Sequence, residues 1–341
     1  MTHMKKTLLI FMAALLFQTL AMAKTNEKPF VVPELTHWNG ATGTLKPSGR
    51  IVVTSKKLLE TAQDLKRDYQ LLFGGEMTVT TSKASDGDIV LAMKQDKALG
   101  KEGYRMSIGK TCKITATSTT GAFWATQTVL QMLQTQKSLP CGDAVDVPQY
   151  GMRGFMLDVG RKFFPISYLK NLVRIMAYYK MNTLQIHLND NAFKHYFGND
   201  WSKTPGDFRL ESETYPGLAS KDGHYTKAEF IELQRLAESL GVNIIPEIDS
   251  PAHVLAFTHY KPSLGSKKFG MDHFDLDNPE VYTFMDKLFD EYLSGKNPVF
   301  RGKYVNIGTD EYNNSTEELR EKFRAYTNHF LGLIKKYGKT P

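Results

Sequence analysis

Gly154-Phe155-Met156-Leu157-Asp158 is a short, almost unbroken apolar run that ends on a carboxylate. A run of this length suits a strand covered on both faces, as in a parallel sheet. The chain after it keeps one rhythm. Helical spacing at Leu169, Leu172, Val173, Met176 and Tyr179 leads into a second strand-like run, Thr183 to Leu188. Thr226 and Glu229 form a capping box for a helix reaching Leu240-Gly241, and Asn243 to Pro246 is the third strand. Asn278-Pro279 opens a further helix with proline at its first position. Val305 to Gly308 is the fourth strand, and Ser315 with Glu318 predicts the cap of a last helix reaching about Tyr337.

Strands alternating with helices imply a parallel sheet, doubly wound or barrel-shaped. No G-x-G-x-x-G or phosphate-loop motif follows the first strand, which argues against a nucleotide cofactor and favours the barrel. A closed eight-stranded barrel takes about 250 residues, whereas Gly151 to Pro341 supplies 191. The expectation is an α/β chain whose residues 151–341 form about the first four βα units of a (β/α)8 TIM-type barrel, C-terminally incomplete.

Residues 29–147 predict a small α/β sandwich. Arg50–Val53 is a strand candidate, followed by a helix with Leu58, Leu59, Ala62, Leu65, Tyr69 and Leu72 at core spacing, ended by Gly74-Gly75. Further strands are expected at Met77–Thr80, Asp88–Ala92, Gly103–Ile108 and Lys113–Ala116, with a second helix beginning after Gly121. His37 reads as a surface or turn position and Pro140 to Pro148 as the linker. Residues 1–23 place Lys5 and Lys6 before an apolar run, Leu8 to Leu16, and close on Ala21-Met22-Ala23. That order predicts a cleavable signal peptide, and so export to a periplasmic, cell-surface or secreted location.

Hydrophobic content of 41% and charged content of 23% are those of a soluble globular protein. The formal charge of +7 falls to +5 without Lys5 and Lys6. The basic residues are scattered, with no basic stripe interleaved with aromatics, so nucleic acid is not an expected partner. Cys112 and Cys141 permit one disulfide or two free thiols, and the sequence leaves both open.

Chemistry in a parallel barrel collects at the C-terminal strand ends. Here those ends carry Asp158 and Arg161, then His187 and Asp190, then Glu247, Asp249 and His253, and finally Asp310 and Glu311. A buried pair of adjacent acids holds one member protonated near neutrality, as the acid of glycoside cleavage requires; an exposed pair on a helix start merely suits the helix dipole. Carboxylates and histidines also suit a metal, but Arg161 near the centre opposes a cation, and no metal or other cofactor is expected. No G-x-S-x-G elbow supports a serine nucleophile. Arg161, several carboxylates and the loop aromatics Phe193, Tyr196, Phe197, Trp201 and Phe208 fit a sugar better.

With these residues in place the chain resembles the family 20 glycoside hydrolases, β-N-acetylhexosaminidases and their lacto-N-biosidase relatives. The likeness runs through Met152-Arg153-Gly154-Phe155-Met156-Leu157-Asp158-Val159-Gly160-Arg161, Tyr179-Lys180-Met181-Asn182, His187-Leu188-Asn189-Asp190, Ile245-Pro246-Glu247-Ile248-Asp249-Ser250-Pro251-Ala252-His253 and Ile307-Gly308-Thr309-Asp310-Glu311. Glu102-Gly103-Tyr104 and Gly121-Ala122-Phe123-Trp124 resemble the small domain that precedes the barrel in this family.

The resemblance implies removal of terminal β-linked N-acetylhexosamine from oligosaccharides or glycoconjugates by substrate-assisted retaining catalysis. It implies Glu311 as acid and base, and Asp310 as the partner of the 2-acetamido group whose oxygen attacks the anomeric carbon. Asp190 and His253 would hydrogen-bond towards the acid, and Arg161 would grip sugar hydroxyls. Asp158, His187 and Glu247 are counted with Arg161 as substrate-binding residues; the alternative is that Asp158 only positions Arg161 and that His187, Glu247 and Asp249 only support the site. Gly308-Thr309 in place of two glycines, Ala252 in place of glycine, Asn191-Ala192-Phe193 after Asp190, and Tyr312 resemble the lacto-N-biosidase-like branch, which releases a disaccharide. The family's later strands, with tryptophans around the acetamido group, fall outside these residues, so a non-catalytic carbohydrate-binding fragment is the alternative.

Overall fold

The computed structural model describes residues 24–341. The signal peptide read over residues 1–23 lies outside the described residues. The chain divides into two compact units, with the boundary between Gln149 and Tyr150. Among the described residues no helix is long and apolar enough to cross a membrane.

In the first unit one sheet takes in β1 (His37–Leu45), β2 (Arg50–Val53), β3 (Thr78–Thr80), β4 (Ile89–Met93), β5 (Tyr104–Ile108), β6 (Cys112–Ala116) and β7 (Leu139–Asp146). Its order is β1-β7-β5-β6-β4-β2-β3. Helices Leu59–Phe73 and Thr119–Gln136 pack on it and on each other.

The expected linker is strand β7, placed between β1 and β5. Its pairing with β5 begins only at Gly142, so Pro140, which has no N–H to give, meets no β5 partner. β1, with His37 exposed at its start, was not predicted, because Asn39, Gly40 and Gly43 interrupt its alternation. The second helix starts two residues before Gly121 rather than after it, and Ser118 caps it by accepting the Gly121 N–H at 3.1 Å. Glycine fits inside that first turn because a Cβ there would lie 2.5 Å from the Gly103 carbonyl oxygen. Both cysteines are free; burial pushes the Cys112 thiol up to about 12.

In the second unit β8 (Gly154–Asp158), β9 (Thr183–His187) and β12 (Asn243–Glu247) form a parallel sheet in the order β12-β9-β8. Helices Ile166–Tyr178 and Lys227–Ser239 alternate with these strands, and helices Pro279–Leu293 and Glu317–Lys336 come after β12. The register sets Asp158 opposite His187 and His187 opposite Glu247, so three functional candidates stand in one row. The capping box of Thr226 and Glu229 forms as read, and Asn278 caps the helix that opens on Pro279.

Three expectations are corrected. The first strand is not covered on both faces: Phe155 is 46% and Met156 52% exposed, because β8 is the edge of the sheet. Val305 to Gly308 does not form a ladder but a single parallel bridge, Glu247 to Asn306, closed by the Asn306 N–H on Pro246 O at 2.9 Å. The backbone turns off at Gly308, whose φ of +70° and close approach to Asp249 exclude a side chain, since a Cβ would come within 1.8 Å of Oδ1. The last helix is capped by Thr316, which accepts from Leu319 N at 3.3 Å, while the Ser315 hydroxyl bonds Asn313 instead.

Candidate active site

The row of strand ends opens onto a cleft of about 540 Å³ lined by Asp158, Arg161, His187, Asp190, Glu247, Asp249, His253, Asp310 and Glu311, with Met156, Gln185, Asn306 and Gly308 between them. Every residue singled out at the strand ends therefore reaches one cleft.

Asp190 is the hub. It follows β9 in a short strand, β10 (Asn189–Asn191), that pairs with β11 (Gly206–Phe208). Its Oδ2 lies 2.7 Å from His187 Nε2 and 2.7 Å from Arg161 Nη1. Its Oδ1 lies 2.8 Å from His253 Nδ1 and accepts the Asn191 N–H at 2.6 Å. Burial alone would raise this carboxyl, but the hydrogen bonds from His187 and His253 outweigh it and hold it well below the usual range.

His187 is buried, which disfavours its cation, yet its hydrogen bond to Asp190 and the adjacent Glu247 carboxylate dominate and push the imidazole up to about 10. Its Nδ1 stands 3.1 Å from Glu247 Oε1, and Glu247 Oε2 accepts from Gln185 Nε2 at 2.6 Å. At neutral pH His187 is thus a cation between two carboxylates. His253 follows the same balance: burial pulls it down, and Asp190 more than compensates, so its value is raised.

From His253 the line continues outward, with Nε2 3.3 Å from Glu311 Oε2. Asp190, His253 and Glu311 form a connected series from the buried hub to the open cleft. Asp310 and Glu311 are both exposed, the Glu311 side chain at 80%, so the buried acid pair considered from sequence is not what the fold builds. The turn carrying them is held from behind. Asp249 Oδ1 accepts the Thr309 N–H at 3.0 Å, and the buried Tyr312 ring stacks on Phe323 with centroids 5.8 Å apart. Burial pushes Asp249 up to about 7, against the pull of His253 and His187. His253, Thr309 and Glu311 all have positive φ (59°, 92° and 50°), the kind of backbone strain that clusters at functional sites.

Asp158 grips Arg161 twice, through the Arg161 N–H at 3.0 Å and Nη1 at 2.8 Å, while Arg161 Nε donates to Asn191 O at 3.1 Å. The guanidinium also lies 5.4 Å from the centroid of the Phe193 ring. Phe193 is 57% exposed beside it, and Tyr196, 73% exposed, meets the Phe193 ring edge-on with centroids 6.4 Å apart. Phe208, counted with them in the sequence, belongs to the core and packs on Phe257. Asp158, His187 and Asp190, and likewise His187, Glu247 and Asp249, bring donor atoms within 4.8 Å of one another. The Arg161 guanidinium already lies 2.7 Å from Asp190 Oδ2 and 2.8 Å from Asp158 Oδ2, so the donor set around Asp190 suits a cation poorly. Asn189, Asn191, Gln185 and Asn306 carry no site role in the sequence reading, although Asn189 and Asn191 stand in its motifs; polar side chains within or just after apolar strand runs are their available signal.

This assembly gathers acids and histidines at the ends of a parallel βα sheet that follows a small α/β unit in the chain. The glycosyl hydrolase family 20 catalytic domain matches residues 150–331, and domain 2 of the same family matches residues 28–147. The chain belongs to glycosyl hydrolase family 20. A lacto-N-biosidase of Bifidobacterium bifidum is 27% identical over 84% of this chain and 24% of that protein. A β-hexosaminidase of Akkermansia muciniphila is 29% identical over 62% of this chain and 48% of its own length. The chain thus spans from about a quarter to about a half of these curated relatives. A mutant Streptomyces plicatus β-hexosaminidase solved with its product GlcNAc superposes with a TM-score of 0.79 at 25% identity, over 94% of this chain and 66% of that one.

Proposed function

We propose that the protein is a glycoside hydrolase that removes terminal β-linked N-acetylhexosamine from glycans, with Glu311 as the acid. The observation that carries this is the connected series Asp190–His253–Glu311, with contacts of 2.8 and 3.3 Å, in a cleft that Arg161 also enters. Glu311 protonates the leaving glycosidic oxygen and later takes the proton of the attacking water. His253, raised in pKa and anchored on Asp190, steadies the charge of Glu311 as it alternates between acid and base. Arg161, fixed by Asp158, offers its fork to sugar hydroxyls, and the exposed Phe193 and Tyr196 suit the apolar face of a pyranose.

The second acid stands next to Glu311 in the chain, and no separate carboxylate need act as nucleophile if the substrate's 2-acetamido oxygen attacks the anomeric carbon. Asp310 orients that acetamido group and balances the positive charge of the cyclic intermediate. On this reading the three-stranded sheet and the Asn306 bridge are the opening arc of a (β/α)8 barrel, and the leader over residues 1–23 exports the protein. The similarity to a lacto-N-biosidase over 84% of the chain favours a second specificity, release of a disaccharide.

Hydrolysis of 4-nitrophenyl glycosides of N-acetylglucosamine, glucose and lacto-N-biose tests these points together. The N-acetylglucosaminide should be cleaved and the glucoside left intact. Equal rates on both would overturn acetamido participation, and preference for the lacto-N-bioside would establish the second specificity. A mature protein beginning elsewhere than near Lys24 would overturn the export reading.

A further inference from the structure

The short strand Asn189-Asp190-Asn191 does more than present its central carboxylate. All three residues are buried, Asn189 completely. The Asn189 carboxamide accepts the Asp249 N–H at 2.8 Å and donates from Nδ2 to the carbonyls of Asp249 at 2.9 Å and His253 at 3.0 Å. The Asn191 carboxamide oxygen accepts the N–H of Leu255 at 2.9 Å. The two amides thus take hold of one loop on either side of His253, while Asp190 between them bonds the His253 ring. That grip falls where the loop is least comfortable: His253 is a non-glycine residue at φ +59°.

We infer that Asn189 and Asn191 are positioning residues that lock the Asp249–Leu255 loop, holding the His253 ring between Asp190 and Glu311. An imidazole can bridge two carboxylates only if both ring nitrogens point correctly, and a backbone left to relax from its left-handed state would swing the ring off one of them. The side chains supply the hydrogen bonds that the loop backbone would lose on opening, so relaxation carries the cost of unpaired buried polar groups. This inference rests on Glu311 being the acid, as proposed above.

The test is an NMR titration of the His253 ring, assigned with His253→Gln, in the native protein and in Asn189→Ala and Asn191→Ala. The charged groups facing that ring are Asp190, Asp249 and Glu311, with Arg161 and His187 beyond Asp190. Removing either amide should let the ring leave Asp190, so the titration moves down towards the ordinary imidazole value of about 6.5. Asn191→Asp keeps the acceptor for Leu255 and adds negative charge, so its His253 should titrate at or above the native value. In the same variants kcat on the N-acetylglucosaminide should fall about tenfold or more with KM little changed, the pattern of a lost interaction in the transition state.

An unmoved titration in a folded Ala variant would overturn the inference, leaving the two residues as packing alone. If Asn189→Ala does not fold, the Asn191 pair decides by the same measurement. The titration needs no turnover, so a native protein inactive on the glycoside would defeat the proposed function without deciding this point.

Discussion

Replacing Asp249 by asparagine offers a quantitative test of how the acid-bearing turn is held. Asp249 is 1% exposed; its Oδ1 receives the Thr309 N–H at 3.0 Å, and its Oδ2 has no hydrogen-bond partner. Burial pushes this carboxyl from 3.8 to about 7, offset in part by His253 and His187. A folded value above the unfolded one means the contribution to stability is complete below pH 3.8 and is lost as pH rises through about 7. About three units at 1.36 kcal/mol each make that loss about 4 kcal/mol by pH 8.

Asparagine keeps the acceptor for Thr309 and cannot ionise, at the constant expense of one buried amide donor, roughly 1–3 kcal/mol. Guanidinium unfolding, followed through Trp201 as the tryptophan of the second unit, should show the native protein losing ground to Asp249→Asn steadily from pH 4 to pH 8. The stability difference, variant minus native, should grow by several kcal/mol and then level off. Two curves that stay parallel within about 1 kcal/mol would refute the reasoning, because Asp249 would then ionise as it does in the unfolded chain.

Two further substitutions probe the same turn and its neighbour. Gly308→Ala forces a Cβ to within 1.8 Å of Asp249 Oδ1 at φ +70°, so thermal unfolding should show a loss of roughly 1–3 kcal/mol and activity should fall with it; an unchanged melting temperature would mean the turn is not held there. Arg161→Lys replaces a fork that reaches Asp158, Asp190 and the Asn191 carbonyl by a single ammonium, and steady-state kinetics should show KM rising about tenfold. A native KM would remove Arg161 from sugar binding.

The convergence of the candidate residues was more legible in the sequence than the fold around them. Parallel strands bring their C-terminal ends together, so Asp158, His187 and Glu247 could be named from the ends of three apolar runs, and the register sets them side by side. Arg161, Asp190, His253 and Glu311 lie at or just past the same strand ends, and the fold brings all of them to one cleft. Local signals carried the caps at Thr226 and Asn278, since capping depends on residues three or four positions apart.

What depends on distant partners was not legible. Whether Phe155 and Met156 are covered depends on which strand lies beside β8, and nothing in the run itself states that. β1 and β7 pair across about a hundred residues and contain glycines and a proline that read locally as turns. Asn189 and Asn191 act on backbone groups some sixty residues away, an interaction with no periodicity to reveal it. The acids of Asp310-Glu311 were legible as a pair, but their exposure was set by Gly308 and Asp249, which turn the chain outward.

The most direct test of the central claim is the activity of Glu311→Gln on 4-nitrophenyl N-acetyl-β-glucosaminide and on a glycan with a poor leaving group. Glutamine fills the same space beside His253 but cannot give up a proton, and general acid catalysis contributes roughly 10²–10⁴-fold. The account requires a loss of that order on the glycan, with a smaller loss on the activated glycoside, whose leaving group needs less protonation. Native rates on both substrates would contradict it.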